Sequence, residues 1–307
     1  MMEPALWTGP IVDAHQHFWI PEDGHHPWLR PEARIPFRYG DYTPIKRRYL
    51  PQDYAEDSRG HDIRATVYME AEWDPADPIG ETRWVSDLAA RTGRPNAIIA
   101  QGWLDRADWP EVLRAQAGFP LVRSVRHKPG GPAWPGEAGR SLMADEGWRR
   151  GYALLEGAGL HFDLQAAWWV LPEAEALARD FPKTLIVLNH TGLPADRSEE
   201  GLHGWHRAMA RLAEWPNVAV KISGLGRPGL PWTAEANGWI VRETVAMFGP
   251  DRAMVASNFP VDRLCGRFDD IFTGFKRILA PLPPEDQAKL FHETATAVYR
   301  PVIRPRP

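Results

Sequence analysis

Short apolar runs recur along the chain, and amphipathic stretches separate them. Nearly every position in these runs is apolar, which is typical of strands buried on both faces of a parallel sheet. The runs are 11–14, 65–70, 97–102, 121–126, 160–166, 185–189, 218–222 and 253–256. Helical patterns occupy 81–91, 109–116, 146–157, 173–179, 202–214, 235–248 and 270–279, and a last helix is expected over 284–299. Eight such strand–helix units predict an α/β fold, a single (β/α)8 TIM barrel over residues 1–307.

The stretch from Ile20 to Pro51 breaks this alternation. It is rich in proline and aromatic residues and shows neither a helical nor a strand period. Loops of this length without elements of their own are usually functional. We therefore expect it to extend over the C-terminal mouth of the barrel.

Two histidines, His15 and His17, follow the first apolar run. Side chains on a strand alternate between faces, so residues two apart point the same way. Such a pair can present two imidazoles to one metal ion or to one substrate oxyanion, although a solvated loop is the structural alternative. Active sites of this fold lie at the carboxyl ends of the strands, and this position favours a functional pair.

Six further strands also end in polar groups, which together favour an enzyme over a structural protein. These are Glu70 and Glu72, Arg126, His127 and Lys128, Asp163 and Gln165, Asn189 and His190, Lys221 and Ser223, and Ser257, Asn258 and Asp262. Singly, each has a structural alternative: His190 could be a hydrogen-bonded core residue, and Lys221 could extend its ammonium to solvent. Most of the 15 tryptophans are expected in the core. Those near strand ends, such as Trp19, are candidates to contact a ring-shaped ligand.

The charge and composition of the chain argue against some classes of binding partner. A net charge of −4 argues against a surface for nucleic acid or anionic membrane. No apolar run approaches the length of a membrane span. The single cysteine, Cys265, cannot form an internal disulfide, so we expect a cytoplasmic protein. The expected partner is a small-molecule substrate, and the sequence leaves open whether the chain forms a homo-oligomer.

Four motifs resemble the amidohydrolase-related (amidohydrolase 2) branch of the amidohydrolase superfamily. They are the segments 12–19 (VDAHQHFW), 189–194 (NHTGLP), 220–225 (VKISGL) and 257–262 (SNFPVD). This branch includes lactonases acting on sugar-acid lactones and on pyrone dicarboxylate. The resemblance implies a (β/α)8 barrel that hydrolyses a lactone or similar carboxyl derivative. It also implies that His15, His17 and His190 ligate a divalent metal.

The resemblance fails at strand eight, where Asn258 stands in place of the expected aspartate. An amide is neither a general base nor a good cation ligand. Two interpretations of this site remain, one with a metal ion and one without. In the one we favour, His15, His17 and His190 hold one Zn²⁺ with an open fourth position, which lowers the pKa of bound water to about 7.

In the other site no metal is bound, and the three imidazoles polarise the substrate carbonyl. Arg126, with His127, then holds a substrate carboxylate, while Asp262 or Glu70 handles protons. Asn258 positions substrate or water in either case. Lys221, Asp163 and Trp19 are expected to complete the substrate contacts, although Asp262 could instead be a loop anchor.

The expected activity is therefore lactone hydrolysis, on a sugar-acid or aromatic-derived substrate. Three alternatives remain at this stage: a lactone isomerase, a metal-dependent decarboxylase on the same barrel, and an inactive barrel that only binds ligand. The departure at Asn258 weakens the decarboxylase, which uses the missing aspartate. The retained histidines weaken the inactive barrel.

Overall fold

Eight parallel strands form a nearly closed barrel. The computed structural model describes residues 5–303. The strands are β1 (Ile11–Gln16), β2 (Ile63–Met69), β3 (Ala97–Gln101), β4 (Val122–Arg126), β5 (His161–Leu164), β6 (Ile186–Leu188), β7 (Val218–Ile222) and β8 (Ala253–Val255), paired in chain order. The chain just beyond β8 returns to β1: Asn258 N–H donates to the carbonyl of His15, and His17 N–H donates to that of Phe259, each at 2.8 Å. The (β/α)8 barrel expected from the sequence is confirmed.

Helices surround the sheet. They are α1 (Pro51–Asp57), α2 (Gly80–Thr92), α3 (Trp109–Ala117), α4 (Glu146–Ala158), α5 (Leu171–Asp180), α6 (Glu199–Ala213), α7 (Ala234–Phe248), α8 (Phe268–Leu279), α9 (Pro284–Ala288) and α10 (Thr294–Tyr299). The sequence pattern missed α1, which has seven residues and begins at a proline. Asp53 accepts the Leu50 N–H at 2.8 Å and stabilises that helix start. Within residues 5–303, no helix combines the length and apolarity needed to cross a membrane.

Alternating strand residues fill the barrel interior. Small and larger side chains share this layer, namely Val12, Ala14, Ala65, Val67, Met69, Ala97, Ile99, Val187, Ala219, Met254 and Ala256. Tyr299 at the end of α10 packs against the same layer, and its hydroxyl donates to Asp163 at 3.0 Å. The interior is therefore a packed core, and the strand ends above it are left to form a site.

A long segment, residues 20–50, separates β1 from α1 and is called the aromatic loop below. It contains three one-turn helices, Pro21–Asp23, Pro27–Leu29 and Thr43–Ile45. Its ends are tied together, because Trp19 and Tyr49 exchange two backbone hydrogen bonds of 3.0 Å. The Trp28 indole donates to the carbonyl of Ala71, just after β2, at 2.8 Å. These bonds hold the loop against the carboxyl ends of the first two strands.

Candidate active site

A pocket of about 370 Å³ opens at the carboxyl ends of the strands. One side is built from strand-end residues, and the other from the aromatic loop. Its lining comprises His17, Trp19, Trp28, Ile35, Pro36, Phe37, Arg38, Ala71, Glu72, Arg126, Lys128, Gln165, His190, Leu193, Asn258 and Val261. A cavity of this size, with apolar walls and a few convergent polar groups, is typical of a site for a small molecule.

Three imidazoles meet at the pocket floor. The ring centroid of His15 lies 5.1 Å from that of His17 and 4.6 Å from that of His190. His17 and His190 face the pocket, whereas His15 is fully buried beneath them. Strands one and six therefore bring these residues together, as the sequence predicted.

The hydrogen-bond partner of His17 determines which of its ring nitrogens carries the proton. Its Nδ1 lies 2.9 Å from the carbonyl oxygen of Met69, which can only accept, so Nδ1 carries the proton. Burial, aided by the charge of Arg126, lowers the pKa of His17 well below its ordinary value. The ring is therefore neutral at pH 7, and its Nε2 is a proton acceptor.

The other two imidazoles are also neutral at pH 7. Burial, then the proximity of His190, lowers the pKa of His15 well below its ordinary value. Burial and the charge of Arg38 do the same to the pKa of His190. Ser223 contacts His190 directly, with 2.9 Å between Oγ and Nδ1.

An unusual backbone turn after β6 presents His190. His190, Thr191 and Leu193 all have positive φ, between 49° and 55°. Such angles are costly for side chains other than glycine, above all for a β-branched threonine, and they concentrate at functional sites. Gly224 faces this turn, and a Cβ there would come within 2.5 Å of His190 Nδ1. Position 224 therefore requires glycine for the imidazole to fit.

Asn258 and Asp262 form a buried pair beside the histidines. The Asn258 amide donates to Asp262 Oδ1 at 2.5 Å, and the hydroxyl of Tyr39 donates to the same oxygen at 2.9 Å. Burial raises the pKa of Asp262 to about 6, against the opposing effect of Arg38. Only Asn258 lines the pocket, and Asp262 lies behind it.

Two ion pairs form the wall opposite these residues. Arg126 donates Nε–H to the Glu70 carboxylate, and further N–H groups to the Glu70 carbonyl at 2.7 Å and to Gln165 at 3.1 Å. Lys128 is paired with Glu72. Burial alone would raise the pKa of Glu72, but the Lys128 ammonium outweighs it and lowers that pKa. Three of the five Arg126 N–H groups are thus engaged by Glu70 and Gln165.

Comparison with known proteins identifies the family to which this chain belongs. The family model described as amidohydrolase matches residues 12–300. The chain belongs to the amidohydrolase family. A protein of Sinorhizobium fredii named y4mH is 37% identical over 94% of this chain and 98% of its own length. An L-fucono-1,5-lactonase of Burkholderia ambifaria is 31% identical over 84% of this chain and 83% of its own length.

Solved structures show the same barrel. A Burkholderia multivorans amidohydrolase superimposes with a TM-score of 0.80 at 24% identity, over 95% of this chain and 100% of that one. A second crystal form of that protein, with bound zinc, gives 0.78. The family and its lactonase-named relatives make this amidohydrolase a hydrolase.

The residues present do not fit the zinc ion that the resemblance implied. Three imidazoles are a suitable donor set, and both nitrogens of buried His15 lack a hydrogen-bond partner. Within residues 5–303, however, no three His, Cys, Asp or Glu side chains form a group that could hold a metal ion. The strand-eight carboxylate is also replaced by Asn258, so we derive no step through a metal.

Four residues expected to touch substrate lie outside the pocket. Lys221 and Asp163 form a fully buried ion pair of 2.8 Å inside the barrel, and Asp163 also accepts from Tyr299 and Asn189. His127 is turned outward, and its Nδ1 accepts from the Trp148 indole at 2.9 Å. The carboxylate of Glu70 is occupied by Arg126 and by the N–H of Glu72, at 2.8 Å from the latter. The substrate contacts expected of these side chains are therefore corrected to structural ones.

Two pocket residues differ from the sequence-based expectation. Trp19 makes contacts other than those expected, and Arg38 is a pocket residue that the sequence does not indicate. Trp19 lines the pocket, as expected, but its indole donates to the Arg47 carbonyl at 3.0 Å and its ring stacks behind His17. Arg38 comes from a loop without periodicity, so the sequence pattern does not single it out. The proline-rich, aromatic composition of that loop was the only available signal.

Proposed function

We propose that this amidohydrolase opens a lactone with water, acting on a single-ring cyclic ester of a sugar acid or of an aromatic-derived carboxylate. Two relatives are named L-fucono-1,5-lactonase, at 31% and 26% identity. Structures at lower identity include one named probable 2-pyrone-4,6-dicarboxylic acid hydrolase and a 2,6-dihydroxybenzoate decarboxylase, and these support the fold alone. The pocket volume of about 370 Å³ suits a single ring with polar substituents.

The observation that carries this proposal is the proton-accepting Nε2 of His17 in the pocket. The Met69 carbonyl holds the proton on Nδ1, so a water in the pocket meets a lone pair. His17 takes one proton from this water as the water oxygen bonds to the lactone carbonyl carbon. When the ring C–O bond breaks, the same imidazole returns the proton to the leaving oxygen, and the product is a hydroxy acid.

The remaining pocket residues orient the substrate. Trp28 and Phe37 are stacked with their ring planes 8° apart and offer an apolar face to a lactone ring. Arg126, Lys128 and Gln165 present hydrogen-bond donors on the opposite wall. Glu70 holds the Arg126 guanidinium in place. This arrangement suits hydroxyl or carboxylate substituents on the ring.

Asp262 acts in this scheme as a positioning residue. Its carboxylate is 1% exposed and lies behind Asn258, so it does not touch substrate. By accepting from the Asn258 amide, it fixes that side chain beside His17. Asn258 also contacts the His17 imidazole, through a hydrogen bond that raises the pKa of His17 against the effect of burial.

The test is a substrate panel with the full chain. Sugar-acid 1,4- and 1,5-lactones and 2-pyrone-4,6-dicarboxylate are followed by acid release, and 2,6-dihydroxybenzoate by loss of carbon dioxide. We expect turnover of at least one lactone and none of the benzoate. Decarboxylation, ring isomerisation without acid release, or binding of lactones without turnover would each overturn the proposal.

A further inference from the structure

Arg38 is the one charged residue that the aromatic loop brings to the pocket. Its guanidinium donates no hydrogen bond to any side chain or carbonyl of residues 5–303, and it lies over the Tyr39 ring with 4.6 Å to the ring centroid. The nearest carboxylate is Asp262, with 3.9 Å between Arg38 Nη2 and Asp262 Oδ1. This distance leaves the donor fork of Arg38 available to a ligand.

The other two cations of the pocket wall are already neutralised at close range. Arg126 is hydrogen-bonded to Glu70, and Lys128 to Glu72. An anion that forms in the pocket therefore finds its strongest uncommitted donor at Arg38. A guanidinium with a free fork binds oxyanions more strongly than neutral donors do.

Arg38 lies at the histidine end of the pocket. A Cβ at Gly224 would come within 2.5 Å of His190 Nδ1 and within 2.7 Å of Arg38 Nη2, so the guanidinium and the imidazole are neighbours. Arg126, Lys128 and Gln165, in contrast, lie at or just beyond the carboxyl ends of strands four and five. The guanidinium of Arg38, which donates no hydrogen bond in residues 5–303, is thus next to His190, whereas the charge of Arg126 acts on His17.

We propose that Arg38 is a catalytic residue that binds the lactone carbonyl oxygen and stabilises the oxyanion formed when water adds. This assignment rests on the proposed lactone hydrolysis. As the water oxygen bonds to the carbonyl carbon, the carbonyl π pair moves onto the oxygen that faces Arg38, and His17 takes the water proton. The pair then returns to re-form the carbonyl, the ring C–O bond breaks, and the leaving oxygen takes the proton back.

The aromatic loop fixes the position of this charge. Tyr39 supports the guanidinium from below, and its hydroxyl is tied to Asp262 at 2.9 Å. A preorganised donor is effective because it does not have to reorient as charge develops. The loop therefore completes the catalytic site as well as covering it.

The test compares Arg38→Gln and Arg38→Lys with Arg34→Gln, a control on the same loop whose guanidinium is exposed and donates only to loop carbonyls. On a neutral lactone that the wild type opens, we expect Arg38→Gln to lower kcat about 10²–10³-fold with little change in KM. Arg38→Lys should retain an intermediate rate. Added guanidinium ion should partly rescue Arg38→Gln.

A second measurement does not depend on turnover. A six-membered cyclic phosphonate, which mimics the tetrahedral anion, should bind Arg38→Gln more weakly than wild type or Arg34→Gln in calorimetry. Wild-type kcat and phosphonate affinity in Arg38→Gln would overturn the proposal, and so would a rise in KM confined to carboxylated lactones. If the wild type opens no lactone, the proposed function fails, and the phosphonate affinities still decide whether Arg38 binds a tetrahedral anion.

Discussion

The side-chain amide of Asn258 donates a hydrogen bond of 2.5 Å to the carboxylate of Asp262. The sequence motif places an amide where the related barrels are expected to carry an acid, and the structure places an acid directly behind that amide. Burial raises the pKa of Asp262 to about 6, so this carboxylate is ionised at neutral pH at a cost to stability.

Replacing Asp262 with asparagine should stabilise the fold at neutral pH. The carboxyl pKa is about 6 in the folded protein against 3.8 ordinarily, so between these values the folded state binds more protons than the unfolded state. The free energy of unfolding therefore falls as pH rises through this window, by up to about 3 kcal/mol. Asp262→Asn removes this loss and retains an acceptor for Asn258 and Tyr39.

Denaturant titrations at pH 4 and pH 8 check this expectation. The variant should exceed wild type in stability at pH 8 and approach it at pH 4. If wild type and Asp262→Asn had equal free energies of unfolding at both pH 4 and pH 8, the prediction of a destabilising, ionised carboxylate at Asp262 would be wrong.

Replacing Asn258 with aspartate should lower activity. Two carboxylates at hydrogen-bond distance cannot both ionise, so one would hold a proton shared with Asp262 at neutral pH. Above pH 6, the rate of Asn258→Asp should therefore vary with pH as the shared proton is lost. The Asn258→Asp, Asp262→Asn double variant should lack this pH dependence. A gain in kcat at pH 7 from Asn258→Asp alone would mean that the missing acid was the required base.

His17→Gln should lower kcat about 10²–10⁴-fold, because the variant has no proton acceptor at this position. The wild-type rate should be level from pH 6.5 upward where the step at His17 is limiting, since burial holds its pKa well below 6.5. His203→Gln, on the exposed face of α6, is the matched control. Loss of folded protein together with a normal rate in the remainder would make His17 a structural residue.

The Lys221–Asp163 pair should matter for folding and not for turnover. Burial lowers the pKa of Lys221 to about 8, against the opposing effect of Asp163. Lys221→Met leaves a buried carboxylate unpaired and should cost about 3–5 kcal/mol. Lys221→Met combined with Asp163→Asn should recover much of this, and the kcat of the folded fraction should match wild type. A normal stability with raised KM would instead place Lys221 in substrate binding.

The barrel was predictable because eight buried strands appear in the sequence as recurring apolar runs. The sequence does not indicate how deep in the barrel a given strand residue lies. Gln165 lines the pocket, but Asp163, two residues earlier, lies roughly 7 Å deeper and faces the packed core. The same offset separates His17, which lines the pocket, from His15, which is buried beneath it. Strand-end composition therefore indicates the candidate site but cannot assign its members to layers of the barrel.

Other features depend on contacts distant in sequence. His127 follows β4 but turns toward Trp148 on α4, and only the tertiary structure reveals this partner. The aromatic loop was predicted to lie over the mouth from its length and composition. Arg38 within that loop had no pattern to mark it, because irregular backbone directs side chains without a fixed period.

The most direct test of the central claim is lactone opening by metal-depleted wild-type protein. After dialysis against chelator, with zinc content verified by elemental analysis, kcat/KM is measured on the lactone that the panel identifies. In the proposed mechanism His17 supplies the base and Arg38 the positive charge, so we predict the same kcat/KM before and after depletion, and no increase on adding zinc. Activity that disappears with the metal and returns in proportion to bound zinc would contradict it.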